Sequence, residues 1–261
     1  MKKLIALVLV LALAAGSGLA LADTFIHGID PEYDPFSYMG SDGTYIGFDV
    51  EVAQAACELL GLEYEAYPVN WDNKEMQLDA GECDVIWSGM TIKDSMREAG
   101  YVISKPYYNS VQVLVVKKDS GIASSADLAG KVVAVQLGTS GEDLLNGQLA
   151  DLRATFADLV TCESFRICFT ELEGNAVDAV FVDSPVAKKY IAERDDMIIL
   201  PEELGAEEYG MLFRKDDAEL CAKIEEAVAQ LVENGTYAEI AAKYAGDDPS
   251  FLGNLVFLNA D

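Results

Sequence analysis

The chain has 261 residues, about half of them apolar, with 45 acidic against 18 basic residues and a formal net charge of −27. Phosphate-backbone recognition is excluded: it needs clustered Lys and Arg to release counterions, and the five arginines, Arg97, Arg153, Arg166, Arg194 and Arg214, are scattered. The sole histidine, His27, and five cysteines without a CxxC pair supply neither a zinc ligand set nor the histidine base of a catalytic triad, so no metal or cofactor is expected.

The first 22 residues, MKKLIALVLVLALAAGSGLALA, read as a signal peptide: two lysines, an apolar run, then Ala20 and Ala22 at the positions a signal peptidase reads. Gly16, Ser17 and Gly18 interrupt the run, leaving it shorter than the roughly 20 apolar residues of a membrane span. Cleavage after Ala22 leaves 16 basic residues and a net charge of −29. No cysteine near that point could carry a lipid, so an untethered periplasmic protein is expected.

Strands and helices then alternate, the signature of an α/β fold. The run TFIHGI is a strand, in which His27 reads as a satisfied strand histidine. The loop DPEYDPFSY and the later VNWDN bring Asp30, Tyr33 and Trp71. Tyr33 and Trp71 are either packing anchors or aromatic walls for a ligand, and Asp30, at a strand end, could read a polar or cationic group. A helix over DVEVAQAACELLG, the strand YEAYPV and a short helix before Gly81 lead to the strand CDVIWSG. That strand runs into Ser88, Gly89 and Thr91 and on to Arg97. Small hydroxyl groups followed by a planar fork of donors suit a carboxylate, although a Ser-Gly turn and a helical arginine also occur as plain scaffold.

The long β-branched run YYNSVQVLVVKK suits a strand crossing between domains. Beyond it come a helix over SSADLAG, the strand KVVAVQL, helices over SGEDLLNGQL and ESFRICFTELEG, and the strand VDAVFVD ending at Asp183. The loop GTSGED, with Thr139 and Ser140, is either the capped start of a helix or a second anion clamp. Asp183 is either the cap of the helix SPVAKKY or a free carboxylate at a strand end. A second crossing, EEYGMLFRK, precedes an amphipathic helix from Asp217 to Val232. Two crossings imply two lobes and a double hinge. One internal echo supports this: Leu78 precedes Asp84, and Leu172 precedes Asp178, each by six residues and each before an apolar strand. Ligands of open α/β sheets bind beyond the carboxyl ends of strands. Arg97 for a carboxylate and Asp183 for an ammonium would then make the two lobes a receptor for an α-amino acid. Among the cysteines, Cys57 with Cys83 or Cys162 with Cys168 could bridge, or all could stay buried thiols.

With these segments in order, the chain resembles the family 3 solute-binding proteins, the polar amino acid receptors of bacterial ABC importers. The resemblance runs from Thr24 to Gly246 through DPEYDPFSY, YIGFDVEVAQA, LDAGECDVIWSGMTI, PYYNSVQVLVVKKDS, LAGKVVAVQLGTSGED, VDAVFVDSP, EEYGMLFRKDD and ENGTYAEIAAKY. It implies the type II periplasmic-binding-protein fold, two mixed sheets flanked by helices and joined by a double-stranded hinge. Lobe 1 would hold 23–106 and 210–261, lobe 2 would hold 112–204, and the hinges would lie near 107–111 and 205–209. By the same resemblance, Arg97, Thr91, Thr139 and Ser140 would bind an α-carboxylate. Ser88, the Gly89 carbonyl and Asp183 would hold the α-ammonium, and Asp30, Tyr33, Trp71 and Gln136 would line the side-chain pocket. The expected protein is a monomeric receptor that hands a polar L-amino acid to an ABC permease. Alternatives are a prephenate or arogenate dehydratase of the same fold, with a cleft acid such as Asp30 as general acid, and a sensing module for a membrane receptor. The family spacing puts the arginine five residues after the threonine, where this chain has Met96, so a one-residue bulge before Arg97 is expected. The tail DDPSFLGNLVFLNAD exceeds the family pattern and is expected to pack on lobe 1.

Overall fold

The computed structural model describes residues 23–259 except Glu193 and Asp247; the expected leader, 1–22, lies outside the described residues. A first sheet has the strand order Glu63–Pro68, Thr24–Ile29, Val85–Ile86, Leu212–Phe213, Val102–Ile103. Its first three strands are parallel and Leu212–Phe213 runs antiparallel to its neighbours. The second sheet is ordered Asp158–Cys162, Val132–Gln136, Ala179–Asp183, Tyr108–Lys117, Met197–Ile199, with Gly205–Tyr209 also paired to Tyr108–Lys117. Both sheets are mixed and carry helices, so the fold is a two-lobed α/β fold.

The paired strands Tyr108–Lys117 and Gly205–Tyr209 carry the chain from one sheet to the other and back. Their antiparallel register sets Tyr209 opposite Tyr108, Glu207 opposite Ser110 and Gly205 opposite Gln112. Because side chains alternate across a strand, Ser110 and Gln112 of one strand and Glu207 and Tyr209 of the other are delivered to the same inward region.

The Asp84 and Asp178 echo is a structural repeat. Asp84 accepts a hydrogen bond from the Ile26 N–H at 2.9 Å while its own N–H reaches the Ile26 carbonyl at 2.8 Å. Asp178 does the same with the Val132 N–H and carbonyl, at 2.8 Å each. In each lobe an aspartate thus clips the start of one parallel strand to its neighbour, and the buried leucine before it, Leu78 or Leu172, roots the preceding helix.

Helices follow local chemistry. Phe48–Leu60 buries Val52, Ala53, Ala56 and Cys57 on one face and stops at Gly61, whose φ of 69° is left-handed and costs glycine nothing. Ser164 caps Phe165–Glu173 through the Ile167 N–H. Two expected helices are shorter than the sequence suggests. SSADLAG yields a single 3-10 turn, Ser125–Leu128, closed by a Ser124–Asp127 capping box, and SGEDLLNGQL stops at Asn146 before Gly147. All five cysteines are buried free thiols. Among the described residues no helix is long and apolar enough to cross a membrane, and no group of His, Cys, Asp and Glu is arranged to hold a metal ion.

The tail packs where the first sheet meets the crossing strands. Phe251 inserts among Phe36, Phe48 and Tyr108 at ring separations of 5.3–5.7 Å. The Asn109 N–H donates to the Asn254 carbonyl, and the Val256 N–H to the Tyr107 carbonyl, both at 2.9 Å.

Candidate functional site

Between the lobes, Tyr33, Trp71, Lys74, Gly89, Thr91 and Met96 face Gly138, Thr139, Ser140 and Asp183. The lobes are closed on one another, leaving about 10 Å³ among these side chains, so a ligand enters only when they part. Gln136 Nε2 donates across the interface to Asp30 Oδ2 at 2.7 Å, and Lys74 Nζ donates to the Gly138 carbonyl at 2.9 Å. Two exposed ion pairs, Lys93–Asp143 and Arg166–Glu32, each at 2.6 Å, also cross; pairs of this kind contribute little. A larger cavity of about 600 Å³, lined by Glu32, Tyr38, Arg166, Lys189 and Tyr190 among others, contains none of the eleven expected site residues.

Asp183 is the centre of the site. It occupies the position before helix Ser184–Ile191, yet its side chain makes no capping hydrogen bond; it is 3 % exposed and accepts from Gln112 Nε2. Burial, and then the neighbouring Glu207 carboxylate, raise its pKa well above the usual carboxylate range. No lysine or arginine pairs with it among the described residues.

The sequence expectation fails at Arg97. Helix Asp94–Glu98 follows directly on the extended Lys93 and directs Met96 inward, 5 % exposed, while Arg97 is exposed. The preceding segment is pinned: Thr91 bridges Tyr209, and the Ile92 N–H donates to the Glu208 carbonyl at 2.8 Å. With that register fixed, one residue of helix amounts to about 100° of rotation, and Arg97 is exposed and not among the residues that line the cleft. Ser88 is also turned aside: fully buried in lobe 1, its Oγ meets Ser37 Oγ and accepts from the Asp30 N–H at 3.1 Å.

Other expected residues do reach the cleft, with their donors committed to the protein. The Thr139 hydroxyl donates to the Gln136 carbonyl at 2.7 Å and caps helix Ser140–Asn146 through the Glu142 N–H. Thr91 Oγ1 and Ser140 Oγ donate to Glu207 Oε2 at 2.8 and 2.7 Å. Tyr33, 4 % exposed, holds its hydroxyl 2.8 Å from that of Tyr209. Gly89 sits at φ 55°, and a Cβ there would fall 2.2 Å from the Tyr33 ring, so glycine is required for the Tyr33 wall to stand. Asp30, 4 % exposed, has its pKa raised by burial. Both its oxygens accept hydrogen bonds, from the Glu32 N–H and from Gln136. His27 is satisfied, with Nε2 against the Trp87 carbonyl and Nδ1 2.9 Å from the Tyr64 hydroxyl.

Sequence reasoning missed Glu207, Gln112, Lys74, Tyr209 and the inward Met96. A signal existed for some of them: Ser110 and Gln112 are polar at alternate positions of an otherwise apolar strand, and Glu207 and Tyr209 share one face of the returning strand. Lys74 is buried against the carbonyls of Trp71 and Gly138, with its Nζ 4.9 Å from the Trp71 ring.

Comparison with known proteins gives this geometry a context. The L-cystine-binding protein TcyJ of Escherichia coli (strain K12) is 33 % identical over 86 % of this chain and 84 % of its own length. The arginine-binding extracellular protein ArtP of Bacillus subtilis (strain 168) is 33 % identical over 84 % and 85 %. The crystal structure of an ABC uptake transporter substrate-binding protein from Streptococcus pneumoniae with bound histidine superposes with a TM-score of 0.82 at 31 % identity, covering 86 % of this chain and 93 % of that one. All three are binding proteins, and the dehydratase alternative finds no support in them. The family model of the bacterial extracellular solute-binding proteins, family 3, matches residues 25–247, nearly the whole two-lobed body, and this chain belongs to that family.

Proposed function

We propose that this chain is a periplasmic receptor that closes its lobes on a polar amino acid, holds the ammonium on Asp183, and delivers it to the permease of an ABC importer as a monomer. The observation that carries the reading is Asp183: a carboxylate buried at a strand end in the interlobe cleft, without a basic partner among the described residues. Burying a charge is costly unless it is paired, and a ligand cation supplies the pair. Asp30, Tyr33 and Trp71 would receive the ligand side chain, and their acid and aromatic faces favour a basic one. Closure would then bury the ligand ammonium only after it has found its partner. A thermal-shift screen of the common amino acids tests this. A ligand that binds only the folded form raises the melting temperature by mass action, and the rise should vanish in Asp183→Asn.

A further inference from the structure

Donors and acceptors in the cleft are unequally spent. Thr91 and Ser140 give their hydroxyl protons to Glu207 Oε2, and Gln112 Nε2 serves both Glu207 Oε1, at 3.0 Å, and Asp183. The Gly138 N–H donates to Glu142 at 2.8 Å, Thr139 donates to a backbone carbonyl, and Lys93 is paired with Asp143. Lys74, the remaining cation of the wall, gives two of its three protons to carbonyls, and its Nζ stands 3.7 Å from Glu75. Acceptors, by contrast, are in excess. Asp183 and Glu207 stand together with no basic residue paired to either among the described residues, and Gln112 Oε1 is buried without a donor. The inward Met96 adds an apolar thioether. A carboxylate entering this end meets two protein carboxylates and donors already taken, whereas an ammonium, with three protons to give, meets acceptors alone.

We infer that Glu207 fills the hydroxyl cradle of Thr91 and Ser140 with a carboxylate of the protein's own, so that the site recognises its ligand through the ammonium and does not require an α-carboxylate. Amines that correspond to amino acids without their carboxylate therefore bind at least as tightly as the parent acids. Asp183 and Glu207 clasp one ammonium, and the aromatic faces of Tyr33 and Trp71, which line the same cleft, suit a second cationic group, so a diamine or guanidino-amine is the class best matched. The inference rests on the receptor reading above and deepens it.

The experiment is calorimetric titration of the chain with arginine and agmatine, lysine and cadaverine, and histidine and histamine. In every pair of which a member binds, the amine should match its parent acid within about twofold or exceed it in affinity, and Glu207→Gln, which removes the competing charge, should shift the ratio at least about tenfold towards the acid. Glu207 is partly buried and glutamine keeps its length and its acceptor oxygen, so this variant keeps the fold, and the wild-type ratios stand without it. A parent acid that binds more than about twofold tighter than its amine in any pair overturns the inference and leaves the receptor reading intact. Binding by none of the six, or by other amino acids alone, overturns the inference, and silence across all amino acids as well brings down the receptor reading.

Discussion

Gly89→Ala probes the packing that shapes the cleft. Gly89 has φ 55°, where an alanine costs about 1–2 kcal/mol through its Cβ alone. That Cβ would lie 2.2 Å from Tyr33 Cε1 and 3.1 Å from its hydroxyl. Tyr33 cannot swing freely, since its ring packs near Phe36, Phe165 and Tyr209, at centroid distances of 5.6, 6.1 and 6.5 Å. Displacing it adds about 1–3 kcal/mol of overpacking and about 1 kcal/mol for the lost bond to Tyr209, a total near 3–6 kcal/mol. Gly121→Ala is the control: its φ is 75° with nothing within 4 Å of the added Cβ, so only the backbone term of about 1–2 kcal/mol remains. Urea denaturation of both variants separates the terms. Equal losses in the two would refute the claim that Gly89 exists to admit Tyr33.

Three further outcomes follow from single residues. Burial lowers His27 from 6.5 to about 4, so its contribution is complete above 6.5 and falls as the pH drops towards 4, where protonation of the unfolded chain has removed about 3 kcal/mol; urea midpoints against pH should lose this slope in His27→Gln. Arg97→Ala should leave ligand affinity within about twofold and stability within about 0.5 kcal/mol, as for a plain surface site, and a tenfold loss of affinity in calorimetry would return Arg97 to the cleft. Arg214 binds Asp84 at 2.9 Å, Asp217 at 2.8 Å and the Cys83 carbonyl. It ties the Asp84 strand clip to the chain returning from lobe 2, so Arg214→Ala should cost about 2 kcal/mol in chemical denaturation, and a loss below about 0.5 kcal/mol would contradict the clip.

What the sequence made legible was what repeats or alternates locally. The βα alternation and the first crossing strand are written in short patterns of apolar and polar residues and emerge in the structure, whereas the run EEYGMLFRK forms two strands, Gly205–Tyr209 on the crossing strand and Leu212–Phe213 in the first sheet, and the spacing echo of Asp84 and Asp178 gave no sign of the strand clips they make. Strand Asp158–Cys162 escaped because it is an edge strand with mixed exposure, without the apolar run of its buried neighbours. Helix phase was also beyond a linear reading: Met96 and Arg97 exchange roles through one residue of register, and that register is held by Thr91 and Ile92 on the returning strand more than a hundred residues away. Ser88 and Thr91 illustrate the same limit. Both are small hydroxyl residues beside Gly89, yet one faces the interior of lobe 1 and the other Glu207, because the positive φ of Gly89 turns the chain between them.

Asp183 as the anchor of a ligand cation is the centre of the account, and calorimetric titration of wild type and Asp183→Asn with the tightest ligand of the screen tests it most directly. Removing one partner of a buried charge pair costs about 2–5 kcal/mol, so the account predicts an affinity loss of roughly thirtyfold or more with an unchanged fold. Binding by Asp183→Asn within about threefold of wild type would contradict it.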